Sequence, residues 1–288
     1  MSKLLSLFSR SSRRRWLYSL MAAIMAVSIV VITPTPSQAV PRWLNILLQG
    51  VQIIQLSNLS DRQEAQLGQQ INAQLTSRQF RLYRNSDVVR YIDDIGQRLA
   101  ETSERSNIDY TFQVVDSDQI NAFATMGGYV YVTTGLLRAA ENEAEVAGVL
   151  GHEVGHIVER HAVEQMRERA VQAGVATAAG LDRNAAVAIG VDLALNRPNS
   201  RRDEYEADEL GLRNMLEAGY APSGLVTFMQ KLAQRGSPPT FLSTHPHPAD
   251  RVERLQQAIS SLPSNVSSAA TDGLAQDAYR ARISPLLR

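Results

Sequence analysis

The chain has 288 residues, with 29 basic and 29 acidic side chains and no cysteine. Balanced charge gives no electrostatic reason for a nucleic-acid partner. Without cysteine, disulfides and thiolate metal ligands are excluded, so any zinc must rest on histidine and carboxylate. The length fits one large domain or two small ones, and an apolar content of 44% is enough for a sizeable core.

Residues 1–39 have the layout of a secretory signal peptide. Lys3, Arg10, Arg13, Arg14 and Arg15 make a basic leader, and Trp16 to Ile32 is an uncharged apolar run. Ser37-Gln38-Ala39 then places small residues at the −3 and −1 positions of a cut after Ala39. Ser12-Arg13-Arg14-Arg15-Trp16-Leu17 is also similar to a twin-arginine export signal. The run is shorter than the ~20 residues that span a bilayer, so cleavage is favoured over an uncleaved anchor. With either outcome the catalytic part of the chain lies outside the cytoplasm.

Residues 40–59 form a moderately apolar lead-in. Ser60-Asp61-Arg62-Gln63 opens a helix through about Gln74 with a capping box. Ser86 or Asp87 caps a second, with Val88, Val89, Ile92, Ile95 and Leu99 on its buried side. Tyr110 to Val115 reads as a strand. Ile120 to Thr125 and Tyr129 to Thr133 read as a hairpin turning at Met126-Gly127-Gly128. A short helical segment starts at Thr134. Asn142 and Glu145 then open a strongly apolar helix with a capping-box-like pair. Gln165 to Leu195, rich in alanine and glycine, reads as one long helical excursion. Asp182, Arg183 and Asp192 argue against a membrane span there, and contact with a membrane surface or another subunit is left open. Arg201 to Ala218 and Pro222 to Arg235 are helices, Gly236 to Pro248 a proline-rich loop, and Ala249 to Ser260 a last amphipathic helix. Residues 262–288 read as a flexible tail.

The apolar helix carries Gly151-His152-Glu153-Val154-Gly155-His156. Histidines at i and i+4 share one helix face, close enough to hold one zinc ion. Glu153 points to the adjoining space, where it can take a proton from the attacking water. Gly151 and Gly155 leave room for close approach of another backbone. A third ligand must be a histidine or carboxylate. On the helix from Arg201, Glu204, Ala207, Asp208 and Gly211 share a face. Glu204 can reach the metal and Asp208 can accept the outer N–H of a ligand histidine. Taken alone, that charged stretch reads more readily as a solvated helix face.

Several stretches, in order, resemble the HtpX, CAAX-prenyl-protease and Oma-type zinc metalloproteases. They are Asn121-Ala122-Phe123-Ala124 with Gly127-Gly128-Tyr129, His152-Glu153-Val154-Gly155-His156 with Arg160-His161, Arg201-x-x-Glu204-x-x-Ala207-Asp208, and His245-Pro246 with Arg251. Met126 stands where many relatives carry proline. The resemblance runs from about Ser60 to Ser260. It implies a gluzincin peptidase with one zinc ion per chain on His152, His156 and Glu204. It also implies an edge strand that binds substrate as an added strand, with Asn121 to Thr125 and Tyr129 to Thr133 able to supply that edge and Asn121, Ala122 and Phe123 as its substrate-binding residues. His245 becomes a fourth ligand in a resting state or a transition-state donor. His161 reads as structural, and Arg251 as a tie between the last helix and acidic residues. Prenylated substrates are not implied, since the family's multiple membrane helices are missing from the pattern.

The expectation is therefore an α+β, mainly helical metalloprotease domain over residues 60–261, with a small sheet beside the zinc helix. It is exported, periplasmic or otherwise extracytoplasmic, and cleaves unfolded or misassembled envelope proteins. The competing expectation is a chaperone-like assembly factor with little proteolysis. Oligomeric state is not legible.

Overall fold

The computed structural model describes residues 53–287, apart from residues 55, 175–179, 197, 235–239, 264–265 and 267–268. These lie within one unit, Gln52–Arg288. The export signal, the cut after Ala39 and most of the lead-in fall outside the described residues.

Helix α1, Asp61–Arg78, starts on the capping box of Ser60 and Gln63 and runs a turn beyond the sequence estimate. Helix α2, Ser86–Glu101, is capped by Asn85, whose Oδ1 accepts from the Val88 amide at 3.1 Å. The cap is thus one residue earlier than Ser86 and two earlier than Asp87. Three fully buried residues on α2, Val88, Ile92 and Leu99, form the stripe that holds it to the core, each worth roughly 1.5–3 kcal/mol of burial.

A two-residue strand β1, Ile53–Ile54, pairs antiparallel with β5, Leu181–Asp182. The main sheet has β2, Thr111–Val115, β3, Ala122–Thr125, and β4, Tyr129–Thr133, in the order β2-β4-β3. β4 runs parallel to β2 and antiparallel to β3. Alternation along the strands sends Val130 and Val132 to one face and Tyr131 to the other. Two core clusters form accordingly. One contains Val130 and Val132 with α2 and the central helices. The other contains Tyr131 and Phe123, stacked with ring centroids 4.6 Å apart, with Leu67, Ile71 and Leu75 of α1.

After the short α3, Thr134–Ala139, comes α4, Glu143–Val158. Every residue of α4 from Ala144 to Ile157 is buried, as an almost uniformly apolar helix requires. Asn142 caps it through Oδ1 to the Glu145 amide at 3.0 Å. Glu145 does not complete a capping box. Its Oε2 accepts from the Glu141 amide at 2.8 Å and pairs with Lys231 at 2.6 Å.

The segment read as one excursion is two helices, α5, His161–Gln172, and α6, Arg183–Asn196, with β5 between them. Helix α7, Arg201–Glu217, crosses α4, and α8, Ser223–Ala233, packs against α4 as well, around Gly148. The proline-rich loop contains a five-residue helix, α9, Thr240–Thr244, and α10 is Pro248–Ser260. The flexible tail is a further correction. Helix α11, Gln276–Arg282, buries Tyr279, and Ile283 and Leu286 follow it into the core. The Tyr279 hydroxyl donates to the Leu137 carbonyl at 2.6 Å. Among the described residues no helix is long and apolar enough to cross a membrane.

Candidate active site

Two small residues let α4 and α7 come together. A Cβ on Gly155 would lie 2.7 Å from the Ala207 carbonyl oxygen, and one on Gly211 would lie 2.8 Å from the His152 amide nitrogen. Neither separation is sterically allowed, so the helix backbones meet where only hydrogen is tolerated. This close crossing sets Glu204 on α7 opposite His152 and His156 on α4.

The Nε2 atoms of His152 and His156 lie 3.1 Å apart. Glu204 closes a third side, with Oε2 at 3.6 Å from His152 Nε2 and Oε1 at 3.4 Å from His156 Nε2. His245, just after α9, adds a fourth. One ligand atom from each of these residues lies within 4.8 Å of every other, and all four residues are buried. Glu153 is buried beside them, with His245 Nε2 3.3 Å from its Oε1.

The outer nitrogens of the two α4 histidines are held differently. His152 Nδ1 faces Asp208 Oδ1 at 2.9 Å. Asp208 is gripped by Arg251, whose Nε and Nη2 donate to its two oxygens at 2.7 and 2.6 Å. Arg251 is wholly buried, and its Nη1 also lies against Glu204 Oε2. His156 Nδ1 faces His161 Nδ1 at 2.9 Å instead. Asn199 donates from Nδ2 to Glu204 Oε1 at 2.7 Å and takes an amide from Gln165 at 2.8 Å.

This environment fixes the charge states. Burial, reinforced by the Arg251 charge, holds His152 well below the ordinary histidine range, hence neutral. Burial pushes the Glu204 carboxyl up, but His245, Arg251 and the hydrogen bond with His156 outweigh it and keep Glu204 ionised. Burial opposes protonation of His245, yet the Glu204 and Glu153 carboxylates raise its proton affinity. Two neutralisable imidazoles and an anionic carboxylate are the donors a divalent transition metal takes. Among the described residues, Glu153 Oε2 is buried with neither a hydrogen-bond nor an ion-pair partner. An orphaned buried acceptor demands an explanation, and a metal ion with its water supplies one. The residues fit the group.

His152, Glu153, His156, Glu204, Asp208 and His245 are thus brought into one cluster. The strand residues border it. Ala122 is fully buried in the core, whereas Phe123, packed on Tyr131, also lines the cavity that Glu153, His156 and His245 share. Asn121 is half-buried, and its carbonyl accepts from the Thr133 amide at 3.0 Å. By antiparallel alternation the backbone groups of Ala122 and Ala124 then turn away from β4. Ala124, Thr125 and Met126 line a cavity shared with Glu153, His156 and His245. Of the two hairpin strands, β4 cannot supply the edge, because it is paired on both sides, and β3 can; β2 is the other edge of the sheet. Two residues of the site were not placed there from sequence. Asn199 precedes the cap of α7, which marks its position but not its direction. Arg251 was assigned only to acidic residues in general.

A helix bearing paired histidines with a neighbouring glutamate, crossed by a second helix that returns a carboxylate, defines a metallopeptidase by class. Comparison with known proteins agrees. The model of peptidase family M48 matches residues 87–259. The beta-barrel assembly-enhancing protease of Escherichia coli (strain K12) is 29% identical over 213 residues, which are 68% of this chain and 44% of that one. Mitochondrial metalloendopeptidase OMA1 of Arabidopsis thaliana is 36% identical over 177 residues, 55% of this chain and 33% of that one. Metalloprotease LoiP of Escherichia coli (strain K12) is 28% identical over 225 residues, 75% of this chain and 88% of that one. The chain belongs to peptidase family M48, a metalloendopeptidase family. It spans about two-fifths of the length of the beta-barrel assembly-enhancing proteases it matches.

Proposed function

We propose that the chain is a zinc-dependent endopeptidase that works outside the cytoplasm on unfolded or misassembled envelope proteins. The observation that carries this reading is the convergence of His152, His156 and Glu204 beside the buried Glu153 carboxylate. When bound there, one zinc ion per chain would polarise the scissile carbonyl and acidify the attacking water. Glu153, whose Oε2 has no partner among the described residues, takes the water's proton and returns it to the leaving amine. Asp208, fixed by Arg251, orients His152.

Substrate binds as a strand added to β3, held by the outward backbone groups of Ala122 and Ala124. Backbone pairing gives affinity with little sequence selectivity, which suits a protease for unfolded chains. Envelope substrates are supported by the relatives named as beta-barrel assembly-enhancing proteases. Export, with a mature start near Val40, is supported by the basic and apolar leader of residues 1–39. Peripheral membrane contact is compatible with this placement.

A second reading is an assembly factor that holds clients and seldom cuts. It is favoured by His245, whose Nε2 stands 3.3 Å from Glu153 Oε1 and closes the site. Casein cleavage separates the two. The zinc-loaded protein should cleave casein, and Glu153→Gln should keep its zinc and lose cleavage. Equal cleavage by Glu153→Gln, or none by the parent protein, would remove the enzymatic reading.

A further inference from the structure

The geometry points to His161 as the positioning residue of the metal site, fixing the tautomer and ring angle of His156 through a relay that ends on Glu206. The inference rests on the reading of His156 as a metal ligand. His156 presents Nε2 to His152 and Glu204, so the lone pair that binds metal must be on that nitrogen. A neutral imidazole then carries its one proton on Nδ1. That proton can go only toward His161 Nδ1, 2.9 Å away. His161 must therefore accept at Nδ1 and carry its own proton on Nε2. His161 Nε2 in turn faces Glu206 Oε2 at 3.2 Å, with Asp203 Oδ1 at 4.0 Å. Each assignment forces the next, and both ends of the relay find an acceptor. Glu206 is itself steadied by Arg202 Nε at 2.8 Å.

The backbone supports the same role. Between α4 and α5 stands Arg160 in the left-handed region, with φ of 57° and ψ of 31°. A non-glycine residue there is strained and persists only where the surroundings impose it. Arg160 is held by Glu64 at 2.9 Å and by the Leu59 carbonyl at 2.5 Å. The reversal it makes returns His161 to the ring of His156, five residues earlier, with centroids 5.0 Å apart. The two α4 histidines are thus oriented asymmetrically. His152 has a carboxylate behind it, whereas His156 has a neutral imidazole backed by a carboxylate at one remove.

The test uses the full chain and zinc alone as ligand. In the zinc-loaded, ¹⁵N-histidine-labelled protein, long-range ¹H–¹⁵N spectra should show His161 protonated on Nε2 and bare on Nδ1. His161 protonated on Nδ1, or on both nitrogens, overturns the proposal. Chelator competition gives a second readout. His161→Phe should weaken zinc binding about 10–100-fold, the usual cost of losing a ligand's hydrogen-bond partner. His161→Asn, which restores an acceptor near the Nδ1 position, should recover most of that loss, and the half-exposed Glu206→Gln should show a smaller one. His161→Phe binding zinc as tightly as the parent, or His161→Asn as weakly as His161→Phe, contradicts the relay. His156→Ala identifies which reading has failed. If it loses zinc while His161→Phe does not, only the relay falls. If it keeps zinc, the assignment of His156 as a ligand falls and takes the relay with it.

Discussion

At the scale of single residues, His245 is the group whose role the structure sharpens most. It is buried, stacked on Phe241 with centroids 4.3 Å apart, and its Nε2 faces Glu153. In that place it stands against Glu153 and occupies a corner of the ligand cluster. Two outcomes are distinguishable for His245→Ala. A plug gives faster basal cleavage, while an oxyanion donor gives a fall in kcat of about a hundredfold or more. The contact with Glu153 favours the plug, and steady-state kinetics on casein should show the rise. A hundredfold fall would assign His245 to the transition state. The spacing of His152 and His156 was legible because helical periodicity alone puts i and i+4 on one face. Arg251 was not, because its partners Asp208 and Glu204 lie more than forty residues away and only tertiary packing brings them to it.

At the scale of elements, the site depends on how closely α7 crosses α4. The small residues Gly155, Ala207 and Gly211 were readable in sequence as places for close approach of the Glu204 helix to the zinc helix, and the contacts agree. The point at which the two helices cross was not, because sequence does not give it. Gly155→Ala would drive its Cβ into the Ala207 carbonyl, which is backbone and cannot swing aside. Overpacking of this kind costs typically 1–3 kcal/mol, and here it also moves Glu204 away from the histidines. Gly155→Ala should therefore bind zinc more weakly and unfold at lower denaturant than the parent. Unchanged zinc affinity and stability would mean that the crossing is not held by that contact. Strand assignments came close from residue type and alternation. The order β2-β4-β3 did not, since three short strands with similar patterns do not state which lies in the middle. That order puts β4 in the middle, so that of the two hairpin strands only β3 lies at an edge of the sheet.

At the scale of the whole molecule, the sequence understated how far the chain packs. Ser/Ala/Pro-rich composition after Leu262 reads as tail because its apolar residues are few. Tyr279, Ile283 and Leu286 are nonetheless spaced to cover one flank of the core. Tyr279→Ala should destabilise the protein by about 3–5 kcal/mol, as for other large aromatic truncations, measured by denaturant unfolding. No change would restore the flexible tail. The α+β class and the helical ligand motif were legible because periodicity is local. Glu204 was singled out by motif resemblance, and its geometry appears only when α7 is laid across α4.

The central claim is that one zinc ion is held by His152, His156 and Glu204, with Asp208 and Glu206 acting behind the histidines. Zinc per chain, measured by elemental analysis on metal-loaded and desalted protein, tests it directly. The account predicts one zinc for the parent, close to none for Glu204→Ala, and substantial retention in Asp208→Ala and Glu206→Ala. Full zinc in Glu204→Ala, together with loss in Asp208→Ala or Glu206→Ala, would contradict it.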